Sequence, residues 1–446
     1  MDPIGFIPSF GSFLYTAVAF VMALSVIVTI HEYGHYIVGR WSGIHAEVFS
    51  LGFGPTVWSR TDRRGTRWQV AALPLGGYVK FLGDANAASS GPDERTMAHL
   101  SPAERRHTMH GAPLWARAAT VAAGPLFNFA LSLAIFAGLF MATGTATDRP
   151  TVETVHPLPS GPGDIRQGDI ILAVEGVATP DYGALDDAGS SVPARSPMTY
   201  TVLRDGQEIA VPGPALMPGR VAGVAPTSAA QEAGLARGDV ILSVDGRPVT
   251  VFDDLSRAVR ASAGNPVALE VWRDGAVKQL TLVPRVTDDI HPDGTVDTRY
   301  MIGVMGDLFF APATRPVGPI EAVGAAATQI GAVMSSSLNG LWHMVTGAIS
   351  SCNLRGPVTI AKTSGAAASA GFLDFIWFIA ALSTAIGLLN LFPIPMLDGG
   401  HLIFYTYEWA AGKAPPEAVL NVLMTLGLAI VLGFMAFGLS NDFLCP

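Results

Sequence analysis

The chain has 446 residues, half of them hydrophobic and only 14% charged, with a formal net charge of −9. That balance excludes a nucleic-acid binder, which needs a basic footprint, and points to a membrane protein with soluble parts. Two cysteines, Cys352 and Cys445, are too few for a disulfide scaffold or a cysteine-rich metal module, although they can form one bond if both lie in an oxidising compartment.

The first informative stretch, Phe13 to Ile30, is 18 residues without a charge, long enough to lie in a bilayer. Asp2 and no Lys or Arg precede it, so it reads as a retained transmembrane helix and not as a cleaved signal. It runs directly into His31-Glu32-Tyr33-Gly34-His35. On a helix, residues four apart share a face, so His31 and His35 can reach one ion with Glu32 flanking it. Imidazoles suit Zn²⁺, a tetrahedral ion that catalyses when three protein ligands leave a place for water, and Glu32 stands ready to take that water's proton. The bland alternative, a pair of solvated helical histidines, conflicts with the location, because ionisable groups continuing an apolar span are costly and mark function.

Residues 39–117 hold ten Lys or Arg and the first twelve residues hold none, so this loop is expected on the cytoplasmic side and the termini outside. Within it, residues 46–59 and 67–81 are rich in Val, Phe, Trp and Leu and flank the polar turn Thr61 to Gly65, which predicts a β-hairpin. Its apolar content, with Gly52, Gly54, Gly76 and Gly77, suggests that it dips towards the membrane. A second span is expected over residues 118–142 and closes a first domain of residues 1–147. The segment after it is expected outside the cytoplasm and contains a repeat. Gly168-Asp169-Ile170-Ile171-Leu172 recurs as Gly238-Asp239-Val240-Ile241-Leu242, and Leu203-Arg204-Asp205-Gly206 recurs as Trp272-Arg273-Asp274-Gly275. Two tandem α+β modules, 148–216 and 217–290, explain the pattern; they resemble the PDZ fold, which captures extended peptides at a sheet edge. Residues 291–371 read as a linker with an amphipathic interfacial helix, and residues 372–446 as the third and fourth spans.

A zinc site of this kind needs a third ligand. The third span, expected over residues 375–397, ends in Asn390-Leu391-Phe392-Pro393-Ile394-Pro395-Met396-Leu397-Asp398-Gly399-Gly400-His401. Asp398 follows 23 uncharged residues, where a carboxylate without a partner is expensive, and His401 competes for the same role. Pro393 and Pro395 break the helix beside it, as happens where a chain lines a cavity.

HExxH in the first span, Gly124-Pro125-Leu126-Phe127-Asn128 in the second and NxxPxPxLDG in the third together resemble the site-2 protease family of intramembrane metalloproteases, over essentially the whole chain. The resemblance implies that His31, His35 and Asp398 bind zinc, that Glu32 is the general base, and that Asn128, Asn390 and the hairpin handle substrate. It also implies single-pass membrane proteins as substrates, among them anti-sigma factors and remnant signal peptides, in regulated intramembrane proteolysis. The place implied is a bacterial inner membrane, with termini and PDZ-like modules periplasmic and the active site near the cytoplasmic side. The competing readings are a non-enzymatic PDZ scaffold with a structural metal and a metal transporter. A structural site is closed by four protein ligands and has no use for Glu32, whereas a transporter calls for polar residues across the bilayer.

Overall fold

Backbone N–H and C=O groups in hydrocarbon must be paired within their own segment, so long apolar runs fold as helices. In the computed structural model, which describes residues 6–85, 93–193, 195–290 and 295–445, four helices are long and apolar enough to cross a membrane. They are Phe13–Trp41, Leu114–Thr143, Phe372–Asn390 and Glu417–Leu444. The third ends seven residues before the expected Leu397. Pro393 and Pro395 lack the N–H a helix needs and push their preceding residues out of helical geometry. The chain turns there and restarts as a separate helix, Asp398–Ala411.

The chain divides into two compact units. One gathers Met1–Leu139, Pro319–Trp342 and Leu354–Cys445, and the other gathers Phe140–Gly318 and His343–Asn353. In the first unit, Ala46–Thr61 and Arg67–Phe81 pair with a register that folds both segments on themselves. Residues 46–51 face 77–81 on one side and 67–70 on the other, and 67–70 in turn face 58–61. The assembly is anchored by Tyr36, Phe49 and Trp68, whose ring centroids lie 4.4–5.8 Å apart. The helix Pro357–Ala370 lies close against the first helix, where a side chain at Gly365 would meet the Thr16 Oγ1 at 2.5 Å. Its open N-terminus is capped by a residue of the fourth span: Asp442 accepts from the backbone N–H of Gly356 and Val358, each at 2.9 Å.

In the second unit the two repeats fold alike. Each has a four-stranded sheet and a ten-residue helix, Ile170–Val174, Val177–Ala178, Met198–Arg204 and Gln207–Gly213 with Tyr182–Ser191, then Val240–Val244, Arg247–Pro248, Val267–Arg273 and Ala276–Leu282 with Phe252–Ala261, and the second adds the short helix Ala229–Glu232. The repeated Asp and Arg meet. Arg204 grips Asp169 through Nε and Nη2 at 2.7 and 2.6 Å, and Arg273 grips Asp239 at 2.6 Å through each. Such forks suit planar carboxylates and tie the first strand of each sheet to the third. The expected linker from residue 291 needs correction. Val304–Gly306 pairs with Val221–Val224, Phe310–Pro312 with Val152–Val155, and Thr314–Arg315 with Thr145–Ala146. The chain thus returns to each module in reverse order. Strands of two or three residues show no alternation that a sequence pattern can register. Both cysteines are disulfide-bonded and neither is a free thiol.

Candidate metal centre

His31 and His35 come from the first helix, and Asp398 is the first residue of the helix that follows the proline break. Their ligand atoms lie within 4.8 Å of one another, and no other such cluster occurs among the described residues. The His31 Nε2 is 3.2 Å from the Asp398 Oδ2 and 3.2 Å from the His35 Nε2, and the His35 Nε2 is 3.5 Å from the Asp398 Oδ1. Three donors bound tetrahedrally to zinc at about 2.05 Å stand about 3.3 Å apart. The spacings are close to that figure, two of them ending on different oxygens of the one carboxylate, so the three side chains converge as a zinc ion would need. Apart from the His31 ring nitrogen 3.2 Å away, the buried Asp398 Oδ2 has no hydrogen-bond partner among the described residues, the state expected of a carboxylate built for a cation.

The helices meet here because small residues let them. A Cβ on Gly124 of the second span would fall 2.5 Å from the His35 Cε1 and 2.8 Å from the His31 Cε1. On the facing helix, a Cβ on Gly34 would fall 2.5 Å from the Ala123 carbonyl oxygen. The His35 Nδ1 lies 2.9 Å from the Thr120 carbonyl oxygen, which holds the ring's outer edge. Asp398 is placed by the turn before it. A side chain at Gly399 would run into the Leu391 and Phe392 carbonyls, and one at Gly400 into the Ile394 carbonyl. Met396 sits at φ 85°, a left-handed conformation that costs a side-chain-bearing residue about 1–2 kcal/mol. Farther along the same helix, Glu408 accepts from Arg117 of the second span at 2.5 Å, and the Arg117 guanidinium lies over the Tyr405 ring.

The triad opens on a cleft of about 380 Å³ whose lining includes Glu32, Gly77, Asn390, Met396 and His401. His401 thus faces the cleft without joining the triangle. Glu32 lies against the strand edge, where a Cβ on Gly77 would stand 3.2 Å from the Glu32 Cγ. The remaining predicted substrate residues do not line this cleft. Gly76 lies under the Phe53 ring, and Gly52 and Gly54, at φ 89° and 84°, pack on Leu73. Asn128 is buried behind His31. Thr120 is a participant that no motif named, and Gly124 and Met396 stood inside quoted motifs without a role assigned to them.

The sequence profile described as Peptidase family M50 matches residues 19–434. A Rhizobium meliloti protein named "Putative zinc metalloprotease" is 38% identical over 430 residues, covering 96% of each chain. A second relative, "Regulator of sigma-E protease RseP" of Salmonella typhimurium, is 34% identical over 464 residues, covering 97% of this chain and 99% of its own. On this evidence the chain belongs to peptidase family M50, the site-2 proteases, and is a zinc-dependent intramembrane endopeptidase.

Proposed function

We propose that His31, His35 and Asp398 are the three zinc ligands, that Glu32 is the general base, and that the substrate is a membrane-spanning segment drawn out as a strand along residues 77–81. The observation that carries this reading is the convergence of two imidazole nitrogens 3.2 Å apart on the two oxygens of one carboxylate, at 3.2 and 3.5 Å, beside a cleft that also holds a second carboxylate. Zinc bound there supplies a Lewis acid that polarises a carbonyl and makes water acidic enough to act near neutral pH. Glu32 then takes the proton from the attacking water and returns it to the leaving amine, a role that a closed structural site does not require. Asn390, on the wall of the same cleft, is placed to contact the substrate chain.

A helical peptide bond is shielded by its own hydrogen bonds, so the scissile segment must unwind and its freed backbone groups need partners in lipid. Residues 77–81 pair with 46–51 on one side only, and their other edge lines the cleft. This favours single-pass membrane proteins, anti-sigma factors and remnant signal peptides among them, as substrates. The ten cations of residues 39–117 favour an inner-membrane orientation with that loop cytoplasmic and the two repeated modules periplasmic. Those modules act as PDZ-like peptide or size filters, a reading supported by their two matching sheets.

The test separates binding from chemistry. Glu32→Gln keeps the size of the side chain, so it should retain zinc and bind a transmembrane substrate while cleavage falls by about 10²–10⁴. Cleavage within a few-fold of wild type would overturn the assignment of Glu32.

A further inference from the structure

Asn128 is fully buried, and its side-chain Nδ2 stands 3.2 Å from the Nδ1 of His31. Its place is fixed from the third span. Ser383 donates to its backbone carbonyl at 3.1 Å, the single Ser132 hydroxyl hydrogen of its own helix is shared between that carbonyl at 3.0 Å and the Ala380 carbonyl of the third span at 2.8 Å, and Gly387 leaves the space its Cβ occupies. It does not reach the cleft, so its position argues for a part in the metal centre and against substrate contact.

His35 supplies the comparison. A carbonyl oxygen only accepts, so the Thr120 carbonyl 2.9 Å away places a hydrogen on the His35 Nδ1 and leaves Nε2 with a lone pair facing the triangle. His31 also presents Nε2 to the triangle and needs the same tautomer, which requires an acceptor at Nδ1. An amide NH₂ is a donor and favours the opposite tautomer. The other arm of that amide, the Asn128 Oδ1, is buried and has no hydrogen-bond partner among the described residues. A half-turn of the amide exchanges the two arms within nearly the same volume, and the torsion involved is soft. Turned over, Oδ1 gains a donor, and the His31 Nδ1 gains the acceptor that its metal-binding tautomer requires.

We infer that Asn128 is the positioning residue of the metal centre: its Oδ1 accepts the His31 Nδ1–H and holds the ring in its metal-binding tautomer before an ion arrives. This rests on the proposed ligand set and deepens it. Outer partners of this kind are worth about 10–100-fold in metal affinity.

The experiment uses the full chain in detergent. In metal-free protein labelled with ¹⁵N-histidine, the His31 signals, identified by their loss in His31→Ala, should report hydrogen on Nδ1; hydrogen on Nε2 would overturn the inference. Zn²⁺ affinity, read by competition with a chelator, should fall about 10–100-fold in Asn128→Leu, which keeps the volume and deletes the acceptor, and should hold within a few-fold in Asn128→Asp, which keeps an oxygen. Thermal unfolding of the metal-free variants checks that each is folded. A folded Asn128→Leu that binds zinc within two-fold of wild type would overturn the proposal, as would equal losses in folded Leu and Asp variants. If the Leu variant does not fold, the tautomer and the Asp variant decide. Undiminished zinc in His31→Ala would overturn the ligand set and this inference with it, whereas failure of the Asn128 arms alone leaves the ligand set standing.

Discussion

Gly124→Ala adds one methyl group at the point where the second span crosses the histidine pair. Its Cβ would stand 2.5 Å from the His35 Cε1 and 2.8 Å from the His31 Cε1, and closer still to the His35 Nε2, whereas ordinary contact begins at 3.4 Å. The rings would have to retreat by about 0.9 Å from the nearer of these two contacts, several times the roughly 0.2 Å tolerance of a zinc–ligand distance. The helices cannot simply part. Their backbones already touch at Gly34 and Ala123, and the second span is tied to the third by Ser132 and to the Asp398 helix by Arg117. Overpacking of this kind costs about 1–3 kcal/mol, so the variant should fold with a modestly lowered melting temperature. Zinc content of the purified protein should fall well below one equivalent, and cleavage of a transmembrane reporter should drop about 100-fold, the scale expected for a 1 Å displacement at a reacting centre. Gly138→Ala, where an added Cβ meets nothing within 4 Å, is the control in the same helix. A Gly124→Ala protein with a full zinc equivalent and near-normal cleavage would refute the steric reasoning and the ligand assignment that depends on it.

Asp398→Ala should lose zinc strongly, while His401→Ala should keep it, because His401 lines the cleft outside the donor triangle; metal analysis of the two purified variants decides. Gly77→Pro deletes a backbone donor on the cleft edge and should slow cleavage with zinc intact. Gly77→Ala keeps that donor but brings a Cβ within 2.8 Å of the Ser50 carbonyl oxygen, so equal slowing in both variants would assign the effect to packing. In the first repeated module, burial raises the Asp169 carboxyl, but the hydrogen bonds and charge of Arg204 and the Arg166 N–H outweigh it and hold it below the usual range. A depressed carboxylate contributes its stability above the unfolded value of about 3.9 and loses it as pH falls through the lower, folded value. Asp169→Asn should therefore destabilise the full chain by about 1–3 kcal/mol at pH 7, the scale of a lost charged hydrogen bond beside a partly solvated Arg204, with the deficit shrinking below about pH 4, as read by thermal unfolding. A deficit that does not change with pH would point away from the ion pair.

Much of this was legible in the sequence because hydrocarbon is a demanding solvent. An uncharged run of 18 residues has few alternatives to a helix, and a His pair four residues apart on it has one shared face. The repeated Gly-Asp and Arg-Asp-Gly runs marked two copies of one module. What stayed hidden was who meets whom. Gly124 stood in view beside Pro125, but only the neighbouring helix makes its missing Cβ necessary. The Thr120 carbonyl that holds His35 is a backbone group and leaves no mark on residue type. Met396 takes a positive φ although methionine does not favour one, because the turn between Pro395 and Asp398 requires it. Asp398 was read at the end of a continuous span; it instead opens a new helix, where the positive end of the helix dipole favours its charge.

The strand edge beside the site carries its own restraint. An open edge is a template for any extended chain, and proteins commonly blunt such edges with charge. Along residues 77–81, the Phe81 N–H is taken by the Asp84 carboxylate at 3.1 Å. Alternation along a strand puts the Gly77 and Val79 N–H groups on the same side as this one. An acid therefore blunts one end of the edge, while Gly77 and Val79 line the cleft that Glu32, Asp398 and the two histidines also line. Under the proposed strand addition, an incoming chain must bring free carbonyls to those two positions. A chain that stays helical has none to offer, because its carbonyls are taken by its own N–H groups. Selection for an unwound substrate would then lie in the edge itself, beside the carboxylate proposed as the base.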